Sequence, residues 1–126
     1  MTSWTRDELD TIGRAEELSL ASVRRDGTLH RPVTMWVVRD GDGVYVRSVN
    51  GRGSSWFHRA QTRHEARVRT DGVEKDVSLV ETDDVNDEVD AAYHAKYGRR
   101  YPTLVPSMVT PEARAATLKL VPRIDP

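Results

Sequence analysis

The sequence predicts an α+β protein whose antiparallel sheet closes into a small β-barrel, and three observations carry that prediction. Short segments of period-two apolar alternation are joined by Asp26-Gly27, Asp40-Gly41-Asp42-Gly43 and Asp71-Gly72, residue types that tolerate the positive φ of tight hairpins. An isolated alternating segment, Thr117-Leu118-Lys119-Leu120-Val121, returns near the C-terminus as a closing strand. Helical spacing is confined to the N-terminus, a short stretch after the third strand and a longer one before the last, so the helices cover a barrel rather than alternate with its strands.

In order, Thr5 and Glu8 form a capping box that starts a helix over Arg6–Glu17, with Leu9, Ile12 and Leu18 on its apolar face and Trp4 placed to staple onto Leu9. From Leu18 the period changes to two, giving a strand that ends at Arg24-Arg25. A second strand runs from Thr28 to Arg39. Pro32 inside it marks an edge or bulge, because proline cannot donate to a ladder. Val33–Val38 is apolar on both faces, which predicts a central or barrel-lining position. Val44–Val49 is the third strand. Asn50–Gly53 is a loop, and Ser54 or Ser55 caps a short helix over Trp56–Thr62. Glu65–Thr70 and Val73–Glu81 are strands four and five. Asp83 or Asp84 caps a helix that runs to Tyr97, with Val85, Val89, Ala92, Tyr93 and Tyr97 inward, and Gly98 stops it. Residues 99–110 show no period, Pro111–Ala116 supplies a turn or two of helix, and the sixth strand follows. Residues 1–126 form one domain of ordinary size, with 1–4 and 122–126 expected to fray.

The composition excludes several classes. Without cysteine there is no disulfide framework, thiolate nucleophile or Cys-based metal site. His58 and His64 are six apart and His30 and His94 are scattered, so helical metal-ligand spacing is missing and no metal is expected. No apolar run spans a bilayer and the N-terminus has no signal-peptide pattern, so a cytoplasmic location without membrane contact is expected. A net charge of −1 argues against nucleic acid as partner.

That near-neutrality hides a segregation. Residues 44–70 hold Arg47, Arg52, Arg59, Arg63, Arg67 and Arg69 against one acid, Glu65. Ser48, Asn50, Ser54 and Ser55 crowd the loop, and Gly51 and Gly53 let backbone approach a ligand. A strand end, a Gly/Ser loop and a helix start with arginine nearby suit one phosphate group. The spacing is not that of a Walker loop.

The order of elements resembles the FMN- or F420-binding split β-barrels, the superfamily of pyridoxamine-phosphate oxidase, flavin reductases and deazaflavin-dependent nitroreductases. The residues that carry the likeness are Arg31-Pro32-Val33-Thr34-Met35-Trp36, Val46-Arg47-Ser48, Gly51-Arg52-Gly53, Trp56-Phe57-His58-Arg59-Ala60, Asp83-Asp84 and Leu120-Val121-Pro122-Arg123. The chain also looks like the uncharacterised actinobacterial group known as DUF2255. Arg59-Ala60 departs from the nitroreductase pattern, which has Asn-Leu there. The resemblance implies a six-stranded split barrel that binds F420 or FMN and acts as an oxidoreductase on a small organic substrate. It implies that Arg47, Ser48, Arg52, Ser54, Ser55 and Trp56 hold the cofactor phosphate. Pro32, Val33 and Thr34 then lie along the ring, and Tyr101 serves as proton donor or substrate contact. Met35 and Trp36 are candidates for a substrate pocket. The alternative is a cofactor-free small-molecule binding protein, or a cyclase or isomerase, using the same barrel. Open edge strands make a homodimer the expected assembly.

Overall fold

The computed structural model describes residues 3–123. In chain order the elements are α1 (Arg6–Arg14), β1 (Leu18–Ser22), β2 (Val33–Met35), β3 (Val38–Asp40), β4 (Gly43–Arg47), α2 (Ser55–Ala60), β5 (Glu65–Thr70), β6 (Val73–Glu81), α3 (Asn86–Tyr97), α4 (Pro111–Arg114) and β7 (Thr117–Pro122). Single 3-10 turns lie at Gly51–Gly53 and Val105–Met108.

The strands form one antiparallel sheet in the order β2-β1-β5-β6-β7-β4-β3. The two edge strands of this list are consecutive in the chain, so the sheet curls into a half-barrel whose edges are joined by Trp36-Val37. Seven strands therefore replace the six expected, because the single strand predicted over Thr28–Arg39 is broken. The cause is helix α3. Its Tyr97 hydroxyl lies 3.2 Å from the Val37 N–H and 3.1 Å from the Val37 carbonyl, and Lys96 Nζ donates to the same carbonyl at 2.6 Å. The Trp36 ring stacks on Tyr97 at 4.1 Å with a 5° interplanar angle. Backbone groups that a ladder would have used are bonded to a helix instead. The two-sided apolar pattern of Val33–Val38 is thus not that of a central strand. Val37 faces the barrel core, while Trp36 and Val38 face α3.

The barrel core gathers Leu18, Leu20, Val46, Phe57, Val68, Leu79 and Leu118, and a second cluster joins Val38 and Tyr45 to Val89, Tyr93 and Tyr97 of α3. Local signals act as read. Thr5 Oγ1 accepts from the Glu8 N–H at 3.1 Å and Glu8 Oε1 accepts from the Thr5 N–H at 2.9 Å. Asp71 and Gly72 both take positive φ, 44° and 88°, closing the β5–β6 hairpin.

Other boundaries move. α1 stops at Arg14, because buried Ala15 is already extended and turns the chain toward β1. α3 begins at Asn86 with Val85 at its cap position; Asp84 is not a cap, since its carboxylate accepts from Thr82 Oγ1 at 2.7 Å. Trp4, expected to fray, is buried beside Leu9 and its indole N–H donates to the Leu120 carbonyl at 3.0 Å. Pro122 pairs with Val77 in β7, and the Arg123 N–H donates to the Asp76 carbonyl at 2.9 Å. Met1, Thr2 and residues 124–126 lie outside the described residues.

Tyr97→Phe leaves the Val37 N–H and the Glu16 carbonyl, which accepts from the Tyr97 hydroxyl at 2.7 Å, without that partner. Urea unfolding is expected to show a loss of about 1–3 kcal/mol, the cost of unsatisfied buried polar groups. A variant as stable as the parent would show that these bonds do not close the half-barrel.

Candidate functional site

The expected site begins at the end of β4, and its first residue turns inward. Arg47 is 2% exposed and all five of its guanidinium N–H groups are used. Nε donates to Thr117 Oγ1 at 2.9 Å. One terminal nitrogen meets the Asp90 carboxylate and the Met108 carbonyl, the latter at 2.9 Å. The other meets the Asn86 carbonyl and Oδ1, both at 3.1 Å. The guanidinium also lies 5.6 Å from the Tyr93 ring centroid. Arg47 ties β4 to α3, the second 3-10 turn and β7, and no donor is left for a ligand. The expectation that it holds a phosphate is therefore corrected by its saturation.

The Gly/Ser loop is anchored more than open. Ser48 is buried; its N–H donates to the Ala116 carbonyl at 3.2 Å and its Oγ lies 2.7 Å from Ser54 Oγ. Ser54 precedes α2 without capping it, because its hydroxyl is engaged with Ser48. Gly51, at φ 75°, is pressed against α4, where an added Cβ would come within 3.3 Å of Glu112 Cβ. Its small size serves loop packing. Gly53 is open. Arg52 is half-exposed, paired with Glu81, bonded to the Ala115 carbonyl at 3.3 Å and 5.3 Å from the Phe57 ring centroid. That bond holds the Glu81 carboxyl below its usual range.

The remaining arginines of residues 44–70 sort the same way. Arg67 and Arg69 point out of β5 onto Asp76 and Glu74 of the next strand, and Arg63 lies 3.7 Å from Glu65. Only Arg59, among the described residues of that stretch, has no carboxylate partner. It sits one helical turn from Ser55 on α2, on the same face. His30 lies within its field. Partial burial first, then the charges of Arg24 and Arg59, hold the His30 imidazolium below the ordinary histidine range, while Asp26 opposes them. Asp26 is itself occupied by the Thr28 N–H and hydroxyl, at 3.0 and 2.7 Å. The charges of Arg24 and Arg59 thus both reach His30, which immediately precedes Arg31-Pro32-Val33-Thr34 in the chain. Pro32 and Thr34 are exposed, Val33 is half-buried, and the outer edge of β2 pairs with no other strand.

The other candidates separate. Met35 and Trp56 pack on the barrel core, whereas Trp36 packs with Tyr97 of α3 and with Tyr101 beyond its end, so Met35 and Trp36 belong to different clusters. The Tyr101 hydroxyl donates to Glu16, which raises its pKa and makes it a poorer proton donor. No group of three or more His, Asp or Glu that could hold a metal occurs among the described residues. No helix among them is long and apolar enough to cross a membrane. In the sequence His30 is marked by its place before Arg31, and Arg59 by its membership of the basic stretch. The departure at Arg59-Ala60 was the available signal.

A curled antiparallel sheet with a Gly/Ser loop and short helix after the fourth strand, and a helix sealing its split, defines the split-barrel class. The chain belongs to the family of uncharacterized proteins conserved in bacteria DUF2255, whose model matches residues 8–120. No curated protein matches it. Among solved structures it is similar to the heme storage protein HutZ from Vibrio cholerae, at 14% identity and TM-score 0.63, covering 92% of this chain and 87% of that one. It is similar to an F420 reductase at 21% identity and TM-score 0.54, covering 93% and 92%. It is also similar to the FAD- and heme-binding protein from Mycobacterium smegmatis, at 21% identity and TM-score 0.51, covering 98% and 68%. At these identities the likeness is one of fold.

The charge of Arg59 on His30 has a direct readout. Arg59→Ala is expected to raise the His30 pKa, followed by the imidazole proton shifts in an NMR titration. An unmoved midpoint would place Arg59 outside the field of His30.

Proposed function

We propose that this protein binds a flavin-type cofactor, F420 or FMN, and is an oxidoreductase acting on a small organic substrate. The observation that supports this reading is the charge of Arg59 and Arg24 acting on His30, which precedes the open edge strand β2. A phosphate placed there meets the Arg59 guanidinium, with the Ser55 hydroxyl one helical turn away and Asp26 as the acid that acts on His30. Residues Arg47 and Ser48 serve the scaffold, and Arg52 reaches an anion only by leaving Glu81. The unpaired backbone groups of Val33–Met35 are donors and acceptors for the edge of a flat heterocycle. Such a cofactor would supply hydride transfer at its ring. The chain's own residues neutralise its phosphate, orient its ring along β2 and supply the apolar wall at Met35 and Trp56.

A second reading is heme binding. A half-buried histidine kept neutral beside two arginines is suited to an iron ligand with carboxylate partners, and His30 is such a residue. The binding of heme by two of the similar structures supports the same reading.

Separate titrations with FMN, F420 and hemin distinguish the readings. Quenching of FMN or F420 fluorescence at micromolar levels is expected, weakened in Arg59→Ala by roughly 1.5–3 kcal/mol, the worth of a charge-assisted hydrogen bond. Arg52→Ala is expected to cost less. A hemin absorption band that His30→Ala abolishes, with neither flavin bound, would overturn the first reading in favour of the second. Binding of none of the three would leave a cofactor-free barrel protein.

A further inference from the structure

On the opposite side of α3 from the Arg47 network, a cleft of about 420 Å³ opens between α1 and α3, lined by Asp10, Gly13, Arg14, Arg39, Ala92 and Lys96. The small residues Gly13 and Ala92 keep it open. Lys96 is half-buried in its wall, and among the described residues no carboxylate pairs with it. Its Nζ donates to the Ile12 carbonyl at 3.2 Å and to the Val37 carbonyl at 2.6 Å. Those two bonds fix the nitrogen. A neutral amine has two N–H groups and one lone pair, so it keeps both bonds, and the position vacated by the third proton becomes a lone pair. The Tyr97 ring centroid lies 5.1 Å from Nζ, and the nearby charges are Asp10, bonded to Arg39 at 2.9 Å, and Arg14 on the last turn of α1. Arg39 and Asp10 offset each other, which leaves Arg14 as the cation without a carboxylate partner among the described residues of the cleft.

We propose that Lys96 is a nucleophilic lysine, an acylation site that takes its acyl group from a small acyl phosphate drawn into the cleft by Arg14. The lone pair of neutral Nζ attacks the carbonyl carbon. A C–N bond forms as the C–O bond to the phosphate breaks, phosphate leaves with that electron pair, and the nitrogen's proton passes to solvent. Burial favours the neutral form, lowering the Lys96 pKa to about 8. The amide product retains one N–H, so acylation releases one of the two carbonyls that Lys96 holds, at the C-terminal end of α1 or at the split of the half-barrel.

Lys75, Lys96 and Lys119 are the only lysines in the chain, which makes the test internally controlled. Lys75 is paired with Glu8 at 3.2 Å. The folded protein is treated with acetyl phosphate between about pH 7 and 9.5 and labelling of each lysine is followed by peptide mass spectrometry. Lys96 is expected to label about tenfold faster than Lys119 near neutral pH and to level off above about pH 8.5, with the three rates converging in concentrated urea. Arg14→Ala is expected to slow labelling by acetyl phosphate several-fold while leaving labelling by neutral phenyl acetate unchanged. A Lys96 rate no greater than that of Lys119, or a preference that persists in urea, would overturn the assignment. Equal slowing of both reagents by Arg14→Ala would overturn the choice of acyl phosphate.

Discussion

A single buried guanidinium organises this fold. Arg47 brings a fixed charge to the end of a core strand, where it is tolerable only because five acceptors converge on it. Those acceptors come from α3, the 3-10 turn at Val105–Met108 and β7, elements far apart in the chain. Meeting them fixes where α3 lies across the barrel. A buried charge of this kind sets geometry more than it adds net stability, since its desolvation consumes much of the attraction it gains.

The position of α3 in turn decides the topology. With its N-terminal end held by Arg47, its C-terminal end presents Lys96 and Tyr97 to Val37, and the strand predicted to be continuous becomes two edges of a split sheet. The same helix end therefore closes the half-barrel and creates the cleft beside Lys96. On the other flank, short α2 carries exposed Ser55 and half-buried Arg59, whose charge reaches His30. The positive charge of residues 44–70 is divided between scaffold and surface. Arg47 is structural, Arg52, Arg67 and Arg69 are neutralised by acids, and Arg59 remains available.

Much of the fold was legible because its signals are local. The Thr5–Glu8 box, the Asp71-Gly72 turn and the alternation of β5 and β6 each act through neighbours a few residues away. The split at Trp36-Val37 was not legible, because its cause lies 60 residues later at Tyr97. The site was less legible for the same reason. Arg47 and Arg59 look alike in a basic stretch, and only partners such as Asp90, 43 residues on, separate a saturated arginine from a free one. The Gly/Ser loop was correctly placed as a strand–loop–helix. However, Gly51 proved to accommodate α4, and Ser48 and Ser54 to engage each other, which composition alone does not reveal.

The claim that Arg47 is a structural pin rather than a ligand contact is tested most directly by urea unfolding of Arg47→Met. The substitution keeps the apolar stem, leaves the Asp90 carboxylate with Arg114 alone at 3.5 Å, and strands three backbone or side-chain oxygens of Asn86 and Met108. A loss of about 3–5 kcal/mol is predicted, the cost of stranding buried charged and polar partners. Stability equal to that of the parent would contradict the account and return Arg47 to the list of ligand contacts.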